Sequence, residues 1–223
     1  MRIQVLADPE YRSSFESYLA ASHELVSEDP KLIFDATFLD LDYKYHLLAE
    51  YAPGNAPVIT NTLTVSASAV AAQLDPPFRF GKMEIVGVPM LPHHFTGQKH
   101  LEYALPLQAT YSADAVMAFI STLGKTGEQI ADCVAGVFPR TLAMIVNEAA
   151  FAVQESVATA TDIDVAMKLG TNYPKGPLAW CDEIGACAFV EILDALAREN
   201  GPERYRVAAL LRRYAEAGTK FLS

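Results

Sequence analysis

Two adjacent histidines, His93 and His94, stand in the polar run PHHFTGQK between two apolar stretches. Histidine titrates near neutrality, so in a loop beside a strand end it is the residue type suited to take or give a proton. A pair of solvated loop histidines is the plainer reading of the same two residues. Lys44 on a helix and Asn61-Thr62 at a strand end supply a cation, an amide and a hydroxyl, and each also fits a solvated charge or a cap. Ser66, Asp35 and the histidines form no GxSxG elbow, so a hydrolase triad has no support. P-loop and HExxH patterns are absent, as is a paired-carboxylate spacing on one helix. Cys133, Cys181 and Cys187 are an odd number without a CxxC pair, which predicts free thiols in a reducing compartment and no metal site.

Composition narrows the class. The chain has 223 residues, 51% of them hydrophobic, enough to bury one large core or two small ones. A net charge of −10 argues against nucleic acid and anionic membrane surfaces and toward a small-molecule or protein partner. No apolar run reaches the roughly 20 residues of a membrane span, and MRIQVLAD does not read as a leader, so a soluble cytoplasmic protein is expected. The one basic cluster, Arg204, Arg206, Arg212 and Arg213, is either a solvated helix face or a site for phosphates.

Strand-like and helix-like segments alternate through the first half. Strands are expected over 3–6, 23–26, 31–38 and 57–62, and helices over 10–20, 41–51 and 66–74, a pattern that predicts a parallel sheet covered on both faces. After Asp75-Pro76-Pro77 come strands over 83–90 and 101–107, with PHHFTGQK as an exposed loop between them, then a helix over 115–123 and a strand over 125–133. Beyond the break at 136–139 the chain reads as nearly all helical.

The densest run is TDIDVAMKLGTNYPKGPLAWCD, residues 161–182. Thr161 and Asp162 are cap types, Asp164 follows three residues after Thr161, and Gly170 is placed to end the helix. Asn172, Pro174, Gly176 and Pro177 predict a rigid turn, with Pro177 opening the next helix. Trp180 reads as core or dimer-interface packing.

These residues carry a resemblance. From Asn147-Glu148-Ala149 through ESVATATDIDVAMKLGTNYPKGPLAWCDEIG to RYRVAALLRRYAEAG, the last third of the chain resembles the C-terminal helical domain of the 3-hydroxyacyl-CoA dehydrogenase family. KLIFDATFLDLDYKYHLLAE and VITNTLTVSASAVA are similar to segments of that family's nucleotide-binding domain. The resemblance implies a shortened Rossmann-like α/β domain over residues 1–135. An all-α domain of the 6-phosphogluconate dehydrogenase C-terminal type follows over 136–223. It also implies NAD as cofactor, a 3-hydroxyacyl-CoA as substrate in fatty-acid metabolism, and a homodimer formed through the helical domain.

Carried over residue by residue, the resemblance makes Glu102 the partner of the catalytic base and Thr64 the counterpart of a substrate-binding serine. Lys44, Asn61 and Thr62 match cofactor-side positions. The departures are specific. ADPEYR stands where GxGxxG should follow the first strand, and the first glycine of the chain is Gly54. The position of the catalytic histidine falls on Pro89 or Met90, leaving His93 and His94 a few residues away, and a substrate-binding asparagine is replaced by Pro139. Two readings stay open: a divergent NAD-linked oxidoreductase using Glu102 with His93 or His94, and a non-catalytic dimeric relative that binds an acyl-CoA or a protein partner.

Overall fold

The protein is described here by a computed structural model covering residues 1–51, 56–74 and 84–222. It divides into two compact units, Met1–Gly136 and Val137–Ser223. The Asp75-Pro76-Pro77 break and the start of the strand expected over 83–90 lie outside the described residues.

In the first unit, β1 (Arg2–Leu6), β2 (Glu24–Leu25), β3 (Leu32–Asp35), β4 (Val58–Asn61) and β5 (Ile85–Val88) form a parallel sheet in the order β2-β1-β3-β4-β5. The chain therefore reverses its direction of travel at β1, and the crevice beyond the carboxyl ends of β1 and β3 is the topological switch point where open α/β sheets take ligands. Every residue of β3, β4 and β5 is buried, as expected of strands covered on both faces.

On one face Leu6, Ile33, Val58 and Ile85 pack under Leu47 and Leu48 of α2 (Leu41–Tyr51) and Val70 of α3 (Ala67–Leu74). On the other, Phe15 of α1 (Arg12–Ala20) and Phe119 of a helix at Asp114–Thr122 meet Phe34 of β3. Phe95 joins that aromatic cluster, 5.6 Å from Phe34 and 5.9 Å from Phe15. PHHFTGQK is therefore no exposed loop. It contains a helical turn, α4 (His94–Gly97), pinned inward by Phe95, so the Asp114–Thr122 helix is α5. A short parallel pair, β6 (His100–Tyr103) and β7 (Thr126–Gln129), meets β5 through an antiparallel bridge between Gly87 and Ala104.

The second unit is helical: α6 (Phe138–Gln154), α7 (Ala160–Thr171), α8 (Pro177–Ile184), α9 (Ala186–Asn200), α10 (Pro202–Tyr205) and α11 (Ala209–Ala217). The 161–182 motif folds as helix, turn, helix, with different caps from those the sequence suggested. Thr159 is the N-cap of α7, its hydroxyl accepting from Asp162 N, and Asn172 in the left-handed region, not Gly170, closes the helix. Asp164 does not cap its own helix. It reaches across to accept from the N–H groups of Leu178 (2.8 Å) and Ala179 (2.9 Å) at the start of α8. A Cβ on Gly176 would overlap that carboxyl group, which explains why glycine precedes Pro177. Asp182 likewise caps the backbone N–H groups of Phe221 and Leu222, both at 2.8 Å. Asn147 ties α6 to the segment before α11, donating to Arg206 O (2.9 Å) and accepting from Ala208 N (2.8 Å).

Candidate functional site: the carboxyl edge of the sheet

A carboxylate within an apolar strand is costly unless it is paired, and Asp35, the last residue of β3, is paired on every side. It forms a salt bridge with Lys44 of α2, and both side chains are 0% exposed. Asp35 also accepts from Thr37 N (3.0 Å), the Thr37 hydroxyl and the Thr60 hydroxyl (2.7 Å). Lys44 donates to Thr37 O (2.9 Å) and Asn61 O (3.1 Å) as well, so its three N–H groups all have acceptors. Burial pulls the Lys44 ammonium below the ordinary lysine range, against the pull of Asp35 and Asp8 in the other direction.

Asn61 stitches three loops together at the same edge. Its amide donates to Ala36 O (3.2 Å) and Met90 O (3.0 Å), and its carbonyl accepts from Leu63 N (3.2 Å) and Met90 N (3.0 Å). The Thr64 hydroxyl donates to Phe38 O at 2.7 Å. Thr62 is buried, with its backbone N–H on Val88 O (3.2 Å), its carbonyl accepting from Ala135 N (2.7 Å) and its methyl group against Gly87.

Asp8 completes the edge. It is 2% exposed, and its Oδ2 accepts from the N–H groups of Phe38 (2.9 Å) and Leu39 (3.3 Å), just beyond β3. Burial raises its carboxyl above the usual range, partly offset by those two bonds and by Lys44.

His93 borders this edge through Tyr11, whose ring also stacks on Phe38 at 5.7 Å. His93 is exposed, adopts φ 61° and faces Tyr11 edge-on at 6.2 Å. His94 is half-buried, and burial together with the nearby Lys125 ammonium lowers its pKa below the usual imidazole value. Lys125 donates to the carbonyl groups of Phe95 (2.7 Å), Thr96 (3.1 Å) and Gln98, closing the carboxyl end of α4. Glu102, on β6, lies against Gly136, where a Cβ would overlap Glu102 Oε2 and stand 2.7 Å from Pro89 Cγ. Pro89 and the Glu102 carboxylate therefore flank one glycine. Among the described residues, no group of His, Cys, Asp and Glu side chains is arranged to hold a metal ion.

Comparison with known proteins decides the ancestry. A profile of the 3-hydroxyacyl-CoA dehydrogenase C-terminal domain matches residues 137–220. The 3-hydroxybutyryl-CoA dehydrogenase of Clostridioides difficile is 30% identical over 196 residues, covering 85% of this chain and 67% of the relative. The chain belongs to the 3-hydroxyacyl-CoA dehydrogenase family. The 3-hydroxyadipyl-CoA dehydrogenase of Escherichia coli is 47% identical over 97 residues, which is 44% of this chain and 20% of that one. The chain thus spans about a fifth to two thirds of the length of these two relatives. The crystal structure of the (S)-3-hydroxybutyryl-CoA dehydrogenase PaaH1 from Ralstonia eutropha has the same fold, with a TM-score of 0.75 at 21% identity over 97% of this chain and 94% of that chain.

Members of this family are NAD-dependent, and the switch-point residues of this chain do not fit a dinucleotide. Pyrophosphate binding needs glycines that let it approach bare backbone N–H groups at a helix N-terminus. Here the β1–α1 turn holds Asp8, Pro9 and Glu10, and the Tyr11 and Arg12 N–H groups are taken by Asp8 O, each at 3.0 Å. A buried carboxylate occupies the crevice that a phosphate would enter. Of the sequence-derived candidates, Lys44, Asn61 and Thr64 are gathered at this edge with Thr62 beside them, and the side-chain polar groups of Lys44, Asn61 and Thr64 are bonded within the protein itself.

The polar core of the site escaped the sequence reading. Asp35, Thr37 and Thr60 were legible only as a carboxylate and hydroxyls inside KLIFDATF and PVITNT, with a lysine nine residues after Asp35. A charged residue inside an apolar strand, followed by an opposite charge on the next helix, is the signal that would have found them.

Proposed function

We propose that this chain is a member of the 3-hydroxyacyl-CoA dehydrogenase family that does not itself carry out NAD-linked hydride transfer. Its role is that of a dimeric acyl-CoA-binding or protein-binding relative. The observation that supports this reading is the Asp8 carboxylate hydrogen-bonded to Phe38 and Leu39 N–H at the switch point. Pro89 or Met90, neither with a side chain that accepts a proton, at the position of the catalytic base agrees with it. The exposed apolar side chains Val157, Val165 and Leu169 favour a homodimer through the helical domain. A cytoplasmic location is part of the same proposal. The arginine cluster is partly engaged internally: Arg212 is bidentate to Asp194 (2.8 and 3.0 Å), and Arg206 lies over the Phe151 ring.

A second reading keeps the enzyme. Glu102 remains next to the base position, and His93 or His94 would have to supply the proton acceptor for an NAD-linked oxidation of an acyl-CoA. One experiment separates the two. NADH is titrated by fluorescence into the full chain, and acetoacetyl-CoA reduction is followed at 340 nm. The proposal expects neither binding at millimolar NADH nor turnover. Turnover that drops strongly in Glu102→Gln would establish the dehydrogenase reading instead.

A further inference from the structure

A cavity of about 510 Å³ opens at the end of the first-unit sheet opposite the switch point, where Lys31 and Pro57 lead into β3 and β4. Its volume falls in the range of small-molecule sites. Ile33, Ala56, Pro30, Pro57 and the Tyr51 ring make its apolar walls. Set among them is Gln4 of β1, only 6% exposed. Gln4 shares with Leu6 the sheet face on which α2 lies, because side chains alternate along a strand.

The Gln4 carboxamide has no hydrogen-bond partner among the described residues, while nearly every other buried polar side chain named above has at least one. A buried amide with unused donor and acceptor capacity, lining a cavity of ligand size, is what gives an apolar pocket its selectivity. We propose that this cavity binds an uncharged purine-type heterocycle, in the form of a nucleoside, with Gln4 as the group that reads its edge.

A carboxamide presents one donor and one acceptor side by side, the complement of the adenine N6/N7 edge. The apolar walls, the Tyr51 ring among them, offer contact to the ring of such a ligand. At the rim, the Glu50 carboxylate, which already accepts from the Tyr51 hydroxyl and lies 3.9 Å from His46, has acceptor capacity left for sugar hydroxyls. The nearby cations are already engaged: Arg2 bonds Asp29 at 2.9 Å and Lys31 lies 3.6 Å from the same carboxylate. With Glu50 and Asp29 both lining the cavity, a phosphate meets net negative charge, so the nucleoside is preferred over its nucleotide. The proposal is independent of whether the switch point takes NAD, since it concerns the other end of the strands.

The test is isothermal titration calorimetry of the full chain with adenosine and with AMP. Adenosine is expected to bind saturably, and AMP at least roughly tenfold more weakly. Gln4→Leu should weaken adenosine by about tenfold or more through loss of the paired hydrogen bonds. Ser27→Trp alters an exposed rim residue and should block entry while circular dichroism stays native, which keeps the test decisive if Gln4→Leu does not fold. Absence of adenosine binding at millimolar concentration overturns the proposal. So does AMP binding as tight as adenosine, or adenosine affinity in folded Ser27→Trp equal to that of the wild type.

Discussion

Replacing Lys44 with methionine tests whether the carboxyl edge is a fixed part of the fold or an accessible cofactor site. The substitution keeps the length of the stem and removes the ammonium group, leaving the 0%-exposed Asp35 carboxylate without its counter-ion. Removing one partner of a buried pair costs about 3–5 kcal/mol. The bonds from Thr37 and Thr60 still reach Asp35 and hold the charge penalty toward the lower end. The carbonyl groups of Thr37 and Asn61 each lose a donor, adding about 1 kcal/mol apiece. Together these give a loss of about 5 kcal/mol. With a urea dependence of about 2 kcal/mol per molar, the unfolding midpoint should fall by roughly 2.5 M. Lys44→Met combined with Asp35→Asn removes both charges while the amide oxygen introduced at position 35 still accepts from Thr37, and should recover a good part of the charge penalty. A midpoint shift below about 0.5 M for Lys44→Met would refute the reasoning, since it would mean that the ammonium is not committed to the fold. A double variant as unstable as the sum of the two single ones would refute the pairing itself.

Three further outcomes follow from the same contacts. Burial holds the Asp8 pKa above the unfolded value, so the folded state binds more protons in that window; the Asp8 contribution is therefore fully favourable below the ordinary carboxylate pKa and is lost as pH rises through the raised one. Urea midpoints of wild type and Asp8→Asn measured across the acid range should diverge in the variant's favour as pH rises, and parallel curves would contradict this. Gly176→Ala places a methyl group on the Asp164 carboxyl, breaks both cap bonds to α8 and should cost about 2 kcal/mol or more in a thermal melt, whereas Gly170→Ala, in open space, should be neutral or stabilising. Pro89→His sets an imidazole beside Glu102 but leaves Asp8 in the crevice, so acetoacetyl-CoA reduction with NADH should remain undetectable.

The sequence by itself determined the family, the parallel α/β order followed by helices, and most helix ends, because these depend on local periodicity, on proline and glycine, and on a run of motif residues that lie next to one another in the chain. Pro177 opening α8 and Gly201 and Gly218 closing α9 and α11 are set by backbone preferences within a turn or two. The sequence also displayed the missing glycines after β1 and a proline or methionine, Pro89 or Met90, at the base position. Tertiary structure alone decided which groups meet around those positions. Asp8 meets Phe38 and Leu39 across 30 or more residues, Lys44 meets Asn61, and Asp164 reaches past its own helix to the next one. Each of these is a long-range pairing of a buried polar group, selected by which backbone N–H or charge happens to face it in the folded chain, and no local pattern in the sequence encodes that partner. The histidine loop shows the same division: PHHFTGQK looks polar in sequence, yet Phe95 and Lys125 draw it into the aromatic core because the sheet face behind it had to be covered.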